Sequence, residues 1–516
     1  MNPETLAGAL HGAWIRWPQR TALVHGGRRT TYAQLGDAIT AVAALYRDLG
    51  IGAGDRVLCP LSNRPELLVA AGAAWTAGAV HVGADHGLTA AELSALVELT
   101  GASALVFEPA AGAGDPFAAL DELRAARPGL RVLVVGGLAP PEGCVRLSAV
   151  IAACEAGGER GIEVPDGPDP ADPAAIFVTS GTTGRPKAPV STHGNLRMRW
   201  RRLADRLGFG PGDVHLAYLP LSHGFGMMMA MSALSTGGRL VLLERFDAAE
   251  ALRRITEEGV TVVSGSAAHF RLLLDRRDPA RHDLRTLRMG IGSAASFPPA
   301  LLRAVYDELG MEFMLMYGSS EGVGVVTTDR DDVLRGSVGR PSPGSVAVLG
   351  PGREPLPPGE VGEIAFSRAF FPVRYWGDPA PVADGWYHSG DLGRLDDEGR
   401  LYVLGRIKHQ INSGGLKVDP VEVEGALLRC PGVRDAAVLG LPHAVYGETV
   451  CACVVPEPGA EPSLEALRAE LGGALAPHKL PRELCLLDQI PRTPLGKVDL
   501  PALRGQVEAR GRPVPA

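Results

Sequence analysis

The stretch Thr179–Lys187, TSGTTGRPK, follows directly on an apolar run, AAIFV, that ends at Val178. Its nine residues hold two glycines, four hydroxyl side chains, Arg185 and a closing lysine. Glycine tolerates the conformations in which successive backbone N–H groups converge on an anion. Ser180, Thr182 and Thr183 add hydroxyl donors, and Lys187 supplies a compact charge suited to phosphate oxygens. The loop reads as a polyphosphate cradle at the end of a strand. It is not a Walker loop, because G-x-x-x-x-G-K-[ST] does not fit. Taken alone, the same nine residues also suit a solvated hairpin turn.

The rest of the chain sets the context. At 516 residues it exceeds what one core usually supports, so two or more domains are expected. With 46% hydrophobic and 21% charged residues it has ample material for buried cores and is not a disordered chain. A net charge of −7 argues against nucleic acid as the main partner. The seven cysteines are scattered, and no C-x-x-C pair suggests a zinc ribbon or a disulfide framework. They read as reduced core residues of a cytoplasmic protein. The N-terminus lacks a basic start followed by an apolar run, so no signal peptide is expected. The longest apolar run, LLVAAGAAWTAGAV from Leu67, is too short and too broken by glycine for a membrane span. It reads as a buried helix leading into a strand.

Short apolar runs (ALVHGG, DRVLCPL, SALVF, RVLVVG, RLVLLE, VTVVSG, LRMGIG) alternate with helix-length amphipathic segments. That alternation predicts an α/β fold with largely parallel sheets. Two such stretches, ending near Val150 and Leu315, suggest two subdomains. From about Gly336 the texture changes to short strands with Gly, Pro and Asp turns, which predicts a small β-rich unit over 336–405. After Gly405 the pattern returns to mixed helix and strand. The expected organisation is a large domain, 1–405, and a small mobile α+β domain, 406–516.

Seven ordered segments then carry a resemblance: FVTSGTTGRPK…STHGNL, YLPLSHGFGM, MYGSSEG, GSVGRP, GWYHSGDLGRLDDEGRL, GRIKHQINSGGLKVDPVEVE and IPRTPLGK. Together, from Phe177 to Lys497, the chain resembles the adenylate-forming superfamily of acyl-CoA synthetases, peptide-synthetase adenylation domains and luciferases. The resemblance implies two α/β subdomains plus a β-barrel-like unit, followed by the small mobile domain. It implies a two-step reaction with ATP, Mg²⁺ and CoA. A carboxylate attacks the α-phosphate of ATP to give an acyl-adenylate and pyrophosphate. A thiol then takes the acyl group and AMP leaves.

The resemblance also distributes roles. Thr179, Ser180, Gly181, Thr182, Thr183, Gly184 and Lys187 would hold the phosphates. Gly292, Ser293 and Ala294 would lie beside the purine, with the Tyr317 face against adenine and Gly318 and Ser320 next to it. Glu321, a hard carboxylate, would bind the metal together with phosphate oxygens. Asp391 offers two acceptor oxygens to the ribose diol, and Arg406 reaches ribose and phosphate. Lys497 would place an ammonium between a carboxylate and an α-phosphate that otherwise repel each other. With Thr183 and Glu321 it forms the catalytic set, and His223 would orient the acyl carboxylate. Lys408 matches the hinge about which the small domain turns. Ser413, Gly414 and Gly415 would then line the CoA tunnel, where glycine lets a pantetheine arm pass close to backbone.

The acyl pocket falls by the same resemblance on Phe225, Gly226, Met229 and His269. GFGMMMAM is apolar and adaptable, which favours an aromatic or medium-sized apolar acid. Phe225-Gly226 lacks the Asp with which amino-acid-activating relatives hold an amino group. Three departures, His269 in SGSAAHF, Arg374 in RYWGDP and Ala188 in PKAPV, point to a specialised biosynthetic substrate. CoA is the expected acceptor. A stand-alone enzyme that loads a carrier protein, or passes the adenylate to another nucleophile, has the same parts and is the alternative. No membrane partner is expected, and a homodimer stays open.

Overall fold

The structure is a computed structural model that describes residues 1–109, 115–155, 167–178, 187–293, 297–321, 324–371, 373–377, 382–383, 385–413, 416–443 and 445–510. The alanine-rich run from Leu67 forms the helix Pro65–Ala77, with proline in its first turn and Gly78 in the left-handed region at its end. Every residue from Leu67 to Thr76 is buried. A helix apolar all round needs cover on all sides. One of its faces lies on a seven-stranded sheet in the order Val145–Arg146, Arg131–Val134, Ala104–Phe107, Arg56–Pro60, Val80–Ala84, Pro173–Phe177, Val190–Thr192. All neighbours are parallel except the last pair.

A second, eight-stranded sheet runs Gly324–Thr327, Glu312–Gly318, Met289–Gly292, Val262–Gly265, Val214–Ala217, Arg239–Leu242, Thr21–His25, Arg28–Thr31. Its first pair of strands by sequence is displaced from where the alternation would put it. Thr21–His25 lies parallel to Arg239–Leu242 rather than in the first subdomain. Hydrophobic periodicity identifies a strand but not its neighbour, and about a third of consecutive strands do not pair in sequence order.

Between the sheets pack helix α1 (His193–Leu207) and helix α2 (Gly224–Leu234). Thr192 caps α1 by accepting a hydrogen bond from the Asn195 N–H, and Gly208 ends it with φ 60°. Trp200 of α1 meets Trp75 at 5.7 Å between ring centroids. At Gly83, on the carboxyl end of a first-sheet strand, a Cβ would overlap the Ser222 carbonyl, which follows a second-sheet strand. The carboxyl ends of both sheets therefore converge, and that is where open α/β sheets bind ligands. Helix α3 (Ala267–Arg276) begins at this same edge.

The strands Val346–Leu349, Gly362–Ser367, Trp386–Leu395 and Leu401–Arg406 form the antiparallel β unit, with Val382–Ala383 at its edge. A short turn, Ile407–His409, leads to the last sheet. There Val433–His443 and Gly447–Pro456 pair over their full lengths, and Glu483–Leu486 adds a parallel strand. Cys451 and Cys453 share one buried face of the Gly447–Pro456 strand, as their spacing predicts. No helix among the described residues is long and apolar enough to cross a membrane.

Candidate active site

Cross-strand register brings Asp391 opposite Arg406 in the β unit. Arg406 Nε lies 2.8 Å from Asp391 Oδ1, and the Tyr317 hydroxyl donates to Oδ2 at 2.7 Å. Asp391 is 6% exposed. Burial raises its pKa, and the Arg406 charge and the Tyr317 hydrogen bond offset this only in part. Lys497 reaches the same place from the small domain. Burial, and then the Arg406 charge, lower its pKa, while Asp391 opposes them. A carboxylate, a guanidinium, a phenol and an ammonium from distant parts of the sequence thus share one pocket.

Beside them, Glu321 accepts a hydrogen bond from the Tyr375 hydroxyl at 2.8 Å. Burial would raise the Glu321 pKa, but hydrogen bonds, those of Tyr375 and Tyr387 among them, outweigh it and keep the group ionised. Tyr375 arrives because its segment pairs with the chain after the glycine-rich loop. Trp376 N–H bonds Ala188 O at 2.8 Å, and Val190 N–H bonds Arg374 O at 3.0 Å. Lys187 Nζ sits 5.7 Å from the centre of the Tyr375 ring. The cluster is made of hard oxygen donors with a cation close by. Mg²⁺ favours such donors when it shares its coordination sphere with phosphates and water. Among the described residues no group of three His, Cys, Asp or Glu side chains converges on one point.

His223 stands at the N-terminus of α2, and its Nε2 lies 2.8 Å from Asp85 Oδ1. The His223 hydrogen bond is the main reason that the Asp85 pKa falls below the usual carboxylate range. Ser222 also donates to Asp85, at 3.3 Å. Phe225 borders the apolar clusters of both α3 and the Met289–Gly292 strand. At Gly226 a Cβ would overlap the Pro220 carbonyl, so close backbone packing explains the missing side chain there. Met229 is buried beside Leu203 and Ile291. Gly292 packs against Phe297 and Phe313, and the Ser293 N–H bonds Gly265 O at 3.1 Å. Gly318 pairs with Gly324 across a hairpin whose connecting segment carries both Ser320 and Glu321.

His269 packs into an aromatic corner at the start of α3. Its ring lies against Tyr218 and Phe246 at 5.2 and 4.6 Å, and its Nδ1 is 3.0 Å from Ser266 Oγ. Burial, with the Arg492 charge behind it, lowers its pKa to about 4, so the ring is neutral. Above the pair sits Gly496, with φ 75°. A Cβ on Gly496 would overlap Ser266 Oγ and come within 2.9 Å of His269 Cε1. Leu495 packs onto the same apolar cluster. Arg492 holds the turn from the other side, donating to both Asp435 oxygens at 2.9 Å and to Gly496 O at 3.3 Å. The turn that carries Lys497 is therefore seated on the start of α3.

Thr179, Ser180, Gly181, Thr182, Thr183 and Gly184 lie outside the described residues, as do Ala294, Gly414 and Gly415. Ser413 is buried and pairs with Gly447. Sequence reading passed over Asp85, Ser266, Tyr375, Tyr387 and Arg492. Each acts through a partner far away in sequence. Ser266 and Tyr375 lay within departures from the family pattern, SGSAAHF and RYWGDP, and Tyr387 and Arg492 within matched segments, whereas Asp85 had no local signal.

Two α/β sheets meeting at their carboxyl ends, a carboxylate–guanidinium pair and a lysine delivered by a second domain define an adenylate-forming enzyme. The chain belongs to the AMP-binding enzyme family, which matches residues 11–376, with the family's C-terminal domain matching 422–497. It is 34% identical to a feruloyl-CoA synthase of an Amycolatopsis species over 96% of both chains. It is 32% identical to the fatty acid–[acyl-carrier-protein] ligase ScoC of Streptomyces coeruleorubidus, over 93% of this chain and 92% of that one. Among solved structures, the amide bond synthetase McbA of Marinactinospora thermotolerans superposes with a TM-score of 0.83 at 28% identity, covering 97% of this chain and 99% of that one. The protein is an AMP-forming acid–thiol ligase. It activates a carboxylic acid with ATP and transfers the acyl group to a thiol.

Proposed function

We propose that the acid is aromatic or medium-sized and apolar, that CoA is the thiol, and that the enzyme serves a specialised biosynthetic route in the cytoplasm. The observation that carries the mechanistic reading is the seat of Gly496 on Ser266 and His269, with Lys497 directed at Asp391 and Arg406. That is the arrangement required for the first half-reaction. Asp391 receives the ribose hydroxyls, Arg406 reaches ribose and phosphate, and Tyr317 braces Asp391 while flanking adenine. Lys497 sits between the acyl carboxylate and the α-phosphate and stabilises their joint negative charge. No proton transfer is needed, because the carboxylate is already a nucleophile. Lys187 and the glycine-rich loop hold the β- and γ-phosphates. Glu321, kept ionised, supports a Mg²⁺ ion, which neutralises phosphate charge when bound. His223, oriented by Asp85, faces the acyl carboxylate.

In the second half-reaction Lys497 must leave. The domain boundary falls at the turn Ile407–His409, and rotation about Lys408 brings the 413–415 stretch toward the thiol. The Lys408→Pro variant is expected to keep acyl-adenylate formation and to lose at least about tenfold in thioester formation, since a fixed φ blocks the hinge. Equal loss in pyrophosphate exchange and in thioester formation from a supplied acyl-adenylate rejects the hinge.

Relatives that differ in acceptor (a CoA synthase, a carrier-protein ligase and an amide synthetase) keep the alternative of another nucleophile in view. Mass spectrometry of products from ATP, Mg²⁺ and a panel of aryl, aliphatic and amino acids, with and without CoA, separates these readings. An acyl-CoA from aryl acids is the expected product. Acyl-AMP without a CoA product, or a preference for amino acids, overturns the assignment.

A further inference from the structure

Between helix α2 and the second sheet lies a small cavity of about 10 Å³. Its sheet side follows from strand register. His215, in the strand Val214–Ala217, pairs with Leu240 on one side and Val262 on the other, and all three line the cavity. Residues two apart on a strand share a face, which brings in Ser264. Helix α2 closes the cavity with Gly226 and Met229. Both are residues that the family resemblance puts around the acyl group.

His215 is 3% exposed, and among the described residues neither of its ring nitrogens has a hydrogen-bond partner. His193 and His269 are buried too, but each has a partner at Nδ1. The His215 ring stands edge-on to Phe209, with 4.6 Å between centroids and 90° between planes. Burial lowers its pKa to about 4, against the pull of Asp213, whose carboxylate is itself held by Arg288 at 2.7 Å. The ring is therefore neutral, with one N–H donor and one acceptor nitrogen. Leaving both unused inside an apolar wall is costly, and a leucine there would carry no such cost. A cavity of this size takes one group about as large as a water molecule.

We propose that this cavity is the far end of the acyl pocket, and that His215 bonds a hydroxyl carried by the acid at the end remote from its carboxylate. The proposal rests on the acid-class reading above and narrows it. At about 1.5 Å of rise per residue, Gly226 and Met229 stand roughly 4.5 and 9 Å along α2 from His223. An acid with its carboxylate at His223 and its apolar body along α2 thus ends at His215. A hydroxyl both donates and accepts, which matches a neutral imidazole. A second carboxylate does not fit, because the cavity offers it no counter-charge.

The test compares kcat/KM in ATP–pyrophosphate exchange for matched acids: cinnamate, 4-hydroxycinnamate and 4-carboxycinnamate; benzoate and 4-hydroxybenzoate; octanoate and 8-hydroxyoctanoate. The purified full-length enzyme is used with its His215→Leu and His215→Asn variants, each checked by thermal unfolding. The wild type is expected to prefer the hydroxy member of at least one set by about tenfold or more, because a site built to bond a polar group rejects the analogue lacking it. It should use 4-carboxycinnamate less well than cinnamate. His215→Leu should collapse the hydroxyl preference, mainly through KM, and should unfold at a higher temperature than the wild type without substrate. His215→Asn keeps a donor and an acceptor and should retain part of the preference. A wild type that prefers no hydroxy acid, or a preference unchanged in His215→Leu, overturns the proposal and leaves the acid class intact; the cavity then holds a water molecule only. The wild-type comparison needs no variant, so a leucine variant that fails to fold does not remove the test. If none of these acids supports exchange while amino acids do, the acid-class reading falls and this proposal with it.

Discussion

The Lys497→Ala variant is expected to slow acyl-adenylate formation by about a thousandfold, within the range seen when one preorganised donor to developing charge is removed. The expectation follows from where the ammonium sits. Protein around it partly desolvates the ammonium, it feels both Asp391 and Arg406, and its turn is fixed by Arg492 and by the Ser266–His269 seat. Holding it there is costly, since burial pulls its pKa down. That cost is recovered only when two anionic groups close on it, which is the condition for stabilising a transition state more than a ground state. The companion measurement is thioester formation from a supplied acyl-adenylate and CoA. This half-reaction should be largely retained, because Lys497 has no role once the adenylate exists. Parallel loss in both assays would mean that the lysine supports the fold rather than the chemistry. Lys497→Arg is a sharper probe. A planar guanidinium carries the same charge but cannot occupy a point between two anions, so it should recover little.

How much of this was legible beforehand depends on the range of the interaction concerned. Asp391, Arg406 and Lys497 were readable because each lies in a contiguous signature, and the structure brings all three to one pocket with Tyr317. The buried helix Pro65–Ala77 was readable because its composition admits little else. The pairing of Thr21–His25 with Arg239–Leu242 was not, because a five-residue strand says nothing about which edge will take it. The same limit hid Asp85 from His223 and Tyr375 from Glu321, pairs separated in sequence by more than fifty residues. His269 shows a third case. Its departure from the family pattern was visible, but its use was not, because the Gly496 turn that rests on it comes from the other domain. Local chemistry reads from the chain, whereas seats between domains emerge only when both surfaces are present.

That seat gives the second large effect. Gly496→Ala is expected to lower adenylate formation by on the order of a hundredfold, because every 1.4 kcal/mol is a factor of ten and two costs combine. The first is conformational: φ is 75°, a region that costs an L-residue roughly 1–2 kcal/mol. The second is steric: the new methyl meets Ser266 Oγ and His269 Cε1, both on buried side chains. The overlap does not apply once the small domain has turned away, whereas the backbone cost stays with the turn, so thioester formation from a supplied adenylate should be spared more than exchange. The double variant Ser266→Ala, Gly496→Ala separates the two costs, since removing the hydroxyl relieves the overlap but not the backbone strain. Partial recovery of exchange is expected, with a coupling energy in the range of about 0.5–3 kcal/mol found for residues in contact. Strictly additive effects would mean that Gly496 does not bear on Ser266 during adenylation. Equal damage to both half-reactions would mean that the turn is needed for the integrity of the small domain and not for its docking. The seated turn is also the reason that His269 must stay neutral. A charged imidazole under Gly496 would lie beside Arg492, and burial with that like charge is what brings its pKa to about 4.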